Sequence, residues 1–200
     1  MIGSEALTND ASDDTLMPKW SRGFTDSLSI RKNAVGAREP MHGRESAMVR
    51  VINGVAELEQ LVGQELGASE WVLVDQERVN LFADATGDHQ WIHIDEEKAK
   101  DGPFGGTIAH GFLTLSLLPL LGSQVTDVTG MKMKINYGLN KVRFPNPVRV
   151  GSKVRDVVTL KEVTRKDSGI QVVMNHVIEI EGQDRPAAIA EAVSLMVEED

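Results

Sequence analysis

The chain has 200 residues, with 21 Lys/Arg against 30 Asp/Glu for a formal charge of −9, no cysteine, and 4% aromatic residues. This length suits one domain plus an extension, since compact domains commonly hold roughly 100–150 residues; the missing cysteines exclude disulfides, thiolate nucleophiles and sulfur-ligated zinc, and agree with a reducing, cytoplasmic location. Residues 1–50 hold seven Lys/Arg and seven Asp/Glu, so the other 14 and 23 put all of the −9 in residues 51–200, and an acidic body without a basic run lacks the electrostatic footprint of a nucleic-acid binder.

Residues 1–46 are rich in Ser, Asp, Gly and Arg without sustained apolar period, and read as an extension mostly lacking fixed structure. Within it, Trp20, Phe24, Leu28 and Ile30 could form a short amphipathic turn. The first residues show neither the basic start nor the apolar h-region of a secretory signal. The folded domain is expected over residues 47–200.

Gly54–Leu66 suggests one short helix ending at Gly63, followed by a strand through Trp71, Leu73 and Asp75. Asp75 is placed to cap a helix whose face, Val79, Phe82, Ala83 and Thr86, recurs at i, i+3, i+4 and i+7 and stops at Gly87. Asp88 then lies just beyond a helix end. Asp95 is a second N-cap candidate, with Glu96 and Glu97 in the first turn and Gly102-Pro103 ending that segment.

Phe104 to Leu121 is a helix-sized stretch without one charge, entered through glycines and His110. Such a helix is expected to be buried on every side, bent by Pro119 in its last turn and ended by Gly122. It falls short of the roughly 20 apolar residues that cross a bilayer, so no membrane association is expected.

After Gly130 the period becomes two: Met131, Met133, Ile135, Tyr137 and Leu139 share one parity, Val142 and Phe144 the other, which predicts a bulge near Gly138 to Lys141. Further strands are expected at Val148–Val163, Ile170–Ile180 and Ile189–Val197, with hairpin turns at 166–169 and 181–184. This order is α+β, an antiparallel sheet wrapped around an apolar helix. A helix without a polar face needs cover that one curved sheet supplies only in part, so a homodimer is expected.

The segments Phe82-Ala-Asp-Ala-Thr-Gly-Asp88-His-Gln-Trp-Ile-His93-Ile-Asp95 and Pro103-Phe-Gly-Gly-Thr-Ile-Ala-His110-Gly111 resemble the hydratase motif of MaoC-like dehydratases, the (R)-specific enoyl-CoA hydratases with a hot-dog fold. The His-Gln-Trp-Ile-His variant is similar to a branch that includes nodulation protein N-like proteins. The resemblance covers roughly residues 55–198. It implies syn hydration of a trans-2-enoyl-CoA to an (R)-3-hydroxyacyl-CoA without metal or redox cofactor. Where many relatives carry Asn-Pro between aspartate and histidine, this chain has Gln90-Trp91.

The residue chemistry agrees. Hydration requires a group to take a proton from water as oxygen attacks C3, another to deliver a proton at C2, and donors for the enolate oxygen on the thioester. Asp88 is assigned as the base and His93 as the group that positions water and supplies the proton, a division that can be reversed. The Gly111 N–H is the candidate oxyanion donor. His110 either lines the site or fixes the loop through backbone. Ser116 and Thr114 either reach the acyl tunnel or bond back to the preceding turn. Gln90 can replace the asparagine amide, and Trp91 either covers the pocket or packs in the core. Lys132, Lys134, Lys141 and Arg143 are candidates for CoA phosphates, with Lys141 and Arg143 foremost.

Each choice has a plainer counterpart. Asp88 alone reads as a turn residue, His93 as a core histidine and the lysines as solvated strand faces. His89 and His93 at i, i+4, with Asp88 and His110, could suggest a metal, but Gly87 breaks the helix on which the pair would share a face, and no metal is expected. The rival activities are an acyl-CoA thioesterase, disfavoured because the apolar helix has no carboxylate, and a non-catalytic acyl-CoA or acyl-carrier binding protein, disfavoured by the intact Asp/His pair.

Overall fold

The structure is a computed structural model, and it describes residues 49–199. The expected extension over residues 1–46 therefore lies outside the described residues, as does its amphipathic turn. Strand β1 (Arg50–Ile52) leads into helix α1 (Gly54–Gln60), which buries Val55 and Leu58. The single strand expected through Trp71 is instead two short ones, β2 (Glu65–Ala68) and β3 (Val72–Leu73). Both pair with the same neighbouring strand, Ala68 opposite Val157 and Val72 opposite Val154, so four steps on one side face three on the other and the surplus residue interrupts the ladder.

Helix α2 (Gln76–Thr86) begins and ends as its sequence dictates. The Asp75 carboxylate accepts the Arg78 N–H at 2.9 Å, and Gly87, at φ 78°, closes the helix with its N–H on the Ala83 carbonyl at 2.8 Å. Val79 and Ala83 are buried, but Thr86 is exposed. Two short helices follow, α3 (Trp91–Ile94) and α4 (Glu96–Lys100), the second capped by Asp95 on the Lys98 N–H at 3.0 Å.

The apolar stretch forms two helical segments, α5 (Gly111–Ser116) and α6 (Leu118–Ser123), with Pro119 in the first turn of α6 rather than bending a last turn. Leu113, Leu117 and Leu121, spaced by four, pack with Val79, Val154 and Ile178 in one core cluster. The expectation of burial on every side fails within one chain: Phe112 is 70% exposed and Leu120 42%. Composition cannot reveal this, because an all-apolar helix has no polar face to mark which side lies against the sheet.

Strand β4 (Thr126–Val128) pairs in parallel with β1, an element too short to show a period. Strands β5 (Met131–Arg143), β6 (Lys153–Lys166), β7 (Gly169–Ile180) and β8 (Ala188–Glu198) then complete a six-stranded sheet in the order β2-β6-β7-β8-β5, with β3 also on β6. Its β5–β8, β8–β7 and β7–β6 pairings are antiparallel, and the sheet curves about α5–α6 in the hot-dog arrangement. The register between β5 and β8 shifts at Asn136/Gly138 and Leu139/Lys141, around the expected bulge. Strand β6 begins later than expected because Gly151, at φ 89°, turns the chain. Val148–Val150 instead bonds to the segment before α5: the Ala109 N–H donates to the Val148 carbonyl at 2.8 Å and the Val150 N–H to that of Thr107 at 2.9 Å.

No described helix is long and apolar enough to cross a membrane. A Cβ at Gly87 would meet nothing within 4 Å, so Gly87→Ala carries only the cost of a left-handed backbone. Urea unfolding of this variant should show a loss of about 1–2 kcal/mol, with Gly87→Asn milder.

Candidate active site

A strap of four residues, Thr107–His110, brings the site together. On one side it bonds to Val148 and Val150; on the other, the Ile108 N–H donates to the Ile92 carbonyl of α3 at 3.0 Å. The Ile108 carbonyl in turn accepts from His93 Nδ1 at 2.7 Å. A carbonyl oxygen can only accept, so His93 carries its proton on Nδ1 and presents Nε2 as a lone pair. Burial, chiefly, holds the His93 pKa below its usual value; His110 pushes the same way, and the Ile108 bond and Asp88 oppose it.

His110, the N-cap residue of α5, donates from Nε2 to the Asp88 backbone carbonyl at 2.9 Å. This is the backbone bond that a loop-fixing role calls for. Its buried Nδ1 has no hydrogen-bond partner among the described residues. The His93 and His110 rings stack, with centroids 3.7 Å apart and planes at 26°, and Phe82 lies 5.1 Å from His110.

Asp88 is exposed. One oxygen of its carboxylate and one ring nitrogen each of His93 and His110 lie within 4.8 Å of one another. Such a gap suits a bridging water bonded to both sides at the usual 2.7–3.0 Å. The same three residues supply a donor set for a cation; of the four considered from sequence only His89 is missing, and it bonds Asp84 at 2.9 Å. Imidazole binds a metal in its ring plane, however, and two stacked, nearly parallel rings do not converge on one ion.

The remaining predicted residues divide. Gly111 opens α5, with the Phe144 ring 3.1 Å from where a Cβ would stand, so a side chain here would press on that ring. Gln90 caps α3 through backbone alone, its carbonyl accepting the His93 N–H at 2.9 Å, and its side chain is exposed. Trp91 is half-buried, packed on Gly102 and beneath Lys98 Nζ, 4.8 Å from the ring centroid. Ser116 and Thr114 both bond back one turn, to the Phe112 carbonyl at 2.7 Å and the His110 carbonyl at 3.3 Å.

Lys141 and Arg143 lie exposed on β5, whereas Lys134 is paired with Asp127 at 2.9 Å. A cavity of about 920 Å³ runs between α5–α6 and strands β5, β7 and β8. Ser116 and Leu115 line it, but Asp88, His93 and His110 do not; the rise of α5, roughly 8 Å, separates the two.

Two residues with no sequence signal hold this geometry. Gln76, in the first turn of α2, donates to the His93 backbone carbonyl at 2.7 Å and accepts from Thr107 Oγ1 at 2.7 Å. It thereby ties α2, α3 and the strap to one amide. A glutamine after a capping aspartate looks like an ordinary solvated residue, and only the chain's return over α2 gives it partners.

Residues 57–182 match the MaoC like domain. Among curated proteins, the chain is 53% identical over 146 residues to 3-hydroxyacyl-thioester dehydratase Z of Mycobacterium tuberculosis strain H37Rv, covering 72% of this chain and 97% of that one. It is 46% identical over 145 residues to nodulation protein N of Rhizobium leguminosarum bv. viciae, covering 71% and 90%. Among solved structures it is similar to the unliganded R-hydratase PhaJ1 of Pseudomonas aeruginosa, with TM-score 0.59 and 26% identity over 72% of this chain and 85% of that one. The (R)-hydratase from A. caviae involved in PHA biosynthesis gives TM-score 0.56 and 29% identity, over 67% and 95%. With the family's domain matched over most of the folded unit and relatives of this identity spanned almost end to end, the chain belongs to the MaoC-like dehydratases.

Proposed function

We propose that the chain catalyses the reversible hydration of a trans-2-enoyl-CoA to the (R)-3-hydroxyacyl-CoA. The observation that carries this reading is the acid and imidazole within one water's span, with His93 Nδ1 committed to Ile108 so that Nε2 is left for water. The similarity to a 3-hydroxyacyl-thioester dehydratase and to (R)-hydratases supports the same class of reaction.

The lowered His93 pKa favours the reversed division of labour. A neutral imidazole protonated on Nδ1 starts without a proton on Nε2, so it accepts one from water as the oxygen bonds to C3. Asp88 accepts the water's other hydrogen and holds the oxygen in line. Electrons displaced from the double bond form an enolate on the thioester oxygen, which the Gly111 N–H stabilises. The imidazolium then returns the proton to C2 on the same face, restoring neutral His93 and giving syn addition.

A second copy of the chain is part of this reading. Among the described residues strand β5 pairs only with β8, and its Met133, Ile135, Tyr137 and Leu139 are exposed, as are Phe112 and Leu120. An open edge with that much apolar surface is what a partner strand covers. The proposed homodimer supplies the cover that the central helix lacks.

With crotonyl-CoA, enoyl absorbance should disappear without release of free thiol; prompt thiol release would instead indicate the thioesterase. Asp88→Asn and His93→Gln should each lower kcat by about 10²–10⁴-fold while circular dichroism stays that of the parent. The acid limb of kcat/KM should fall as His93 gains its proton, at a pKa below the usual value of about 6.5, and disappear in His93→Gln; a limb above 7 contradicts the assignment. Gln76→Ala should reduce kcat about 10-fold or more through misplacement of His93, with KM little changed. Size-exclusion chromatography should give twice the chain mass, shifting towards monomer in Tyr137→Asp. Charge reversal at Lys141 and Arg143 should raise KM for CoA substrates if they meet the phosphates.

A further inference from the structure

A second Asp/His pair lies in the sheet, separate from the site above. Asp156 of β6 follows the inward row Val154, Val158 and Leu160, and is 0% exposed. His176 of β7 shares the corresponding inward row with Ile178 and Ile180 and is 7% exposed. His176 Nδ1 bonds Asp156 Oδ2 at 2.7 Å. Ser69, in the link between β2 and β3, steadies the backbone on the far side: its Oγ accepts the Asp156 N–H at 2.9 Å, and its N–H donates to the Asp156 carbonyl at 2.9 Å. Asp156 Oδ1 is buried without a partner among the described residues.

A carboxylate at a core position is costly, and well-packed apolar residues in place of a buried ion pair are often neutral or stabilising. A role other than packing is therefore open to this pair. Its free end faces the cavity between α5–α6 and the sheet. His176 lines that cavity beside Leu118, Met174 and Val193, and its Cε1 is 4.0 Å from where a Cβ on Gly122 would stand. With Nδ1 held by Asp156, Nε2 has no hydrogen bond among the described residues and keeps surface open to the cavity.

We propose that the cavity between α5–α6 and the sheet takes the acyl tail of the thioester substrate, and that His176, oriented by Asp156, is a polar subsite in it that receives a hydroxyl group on that tail. The proposal rests on the hydratase reading and deepens it. A hydroxyl can donate to Nε2 when the imidazole is neutral and accept from it when protonated, so it fits either state. A carbonyl fits only one state. A carboxylate would set a second negative charge beside a buried carboxylate. From the N-terminus of α5 to Gly122 the helical segments rise on the order of 15 Å, so the hydroxyl belongs far down the tail, away from C3.

The test compares trans-2-enoyl-CoAs of matched medium and long chain length, with and without a hydroxyl at the tail end, in the full chain. The parent should prefer the hydroxylated compound roughly 3–10-fold in kcat/KM, the worth of one hydrogen bond, at one chain length and not at shorter ones. Because His176→Phe alone strands a buried carboxylate and is at risk of misfolding, the paired variant His176→Leu with Asp156→Val is assayed beside it. In whichever variant folds, the preference should fall to near one, and the paired variant should keep or raise Tm. Turnover of plain enoyl-CoAs by the parent with no preference at any length overturns the subsite and spares the hydratase. A preference that survives the paired variant also overturns it. If neither compound is turned over, the hydratase reading fails, and calorimetry with the corresponding saturated acyl-CoAs decides the subsite: equal affinity with and without the hydroxyl overturns it.

Discussion

The site depends on two imidazoles being held by backbone carbonyls. His93 donates to Ile108 of the strap that carries His110, and His110 donates to Asp88 of the loop after α2. These bonds close a small circuit: α3 carries His93, the strap carries Ile108 and His110, and the loop after α2 carries Asp88. None of the three can shift without breaking a bond to another. The strap is itself bonded on both sides, to Ile92 and to Val148 and Val150, so the circuit is anchored to the body of the domain.

Burial then sets the chemistry. His93 is packed beneath a second imidazole, which together with desolvation disfavours its charged form, while Asp88 stays exposed at the rim. Two groups five residues apart thus occupy opposite environments, the imidazole buried and the acid exposed. Gln76 extends the same principle outward: one amide joins the helix before the site to the strap after it. The buried Asp156–His176 pair is a second polar contact made across the fold, between neighbouring strands of the sheet.

The unfinished surfaces are as informative as the packed ones. The central helix uses Leu113, Leu117 and Leu121 against the sheet and leaves Phe112 and Leu120 towards solvent, beside an edge strand whose apolar residues are also open. Hydrophobic residues concentrated along one border of a sheet are a cost to an isolated chain and a resource to a pair. The proposed dimer follows from that border rather than from any one residue.

Local rules were legible along the chain. Asp75 and Asp95 cap helices, Gly87 stops one, and the parity switch around Gly138 marks a bulge, because each depends on a few neighbouring residues and short-range sterics. The spacing of Asp88, His93 and His110-Gly111 likewise pointed to the family before any contact was known. Other features required the folded chain: the split of β2 and β3, the parallel β1–β4 pair, the exposed side of an all-apolar helix, the clamp at Gln76 and the junction of Asp156 with His176. Each joins residues distant in sequence, or chooses one face among equals. Hydrophobicity says that a residue prefers burial, whereas only the register of one strand on another decides what it is buried against.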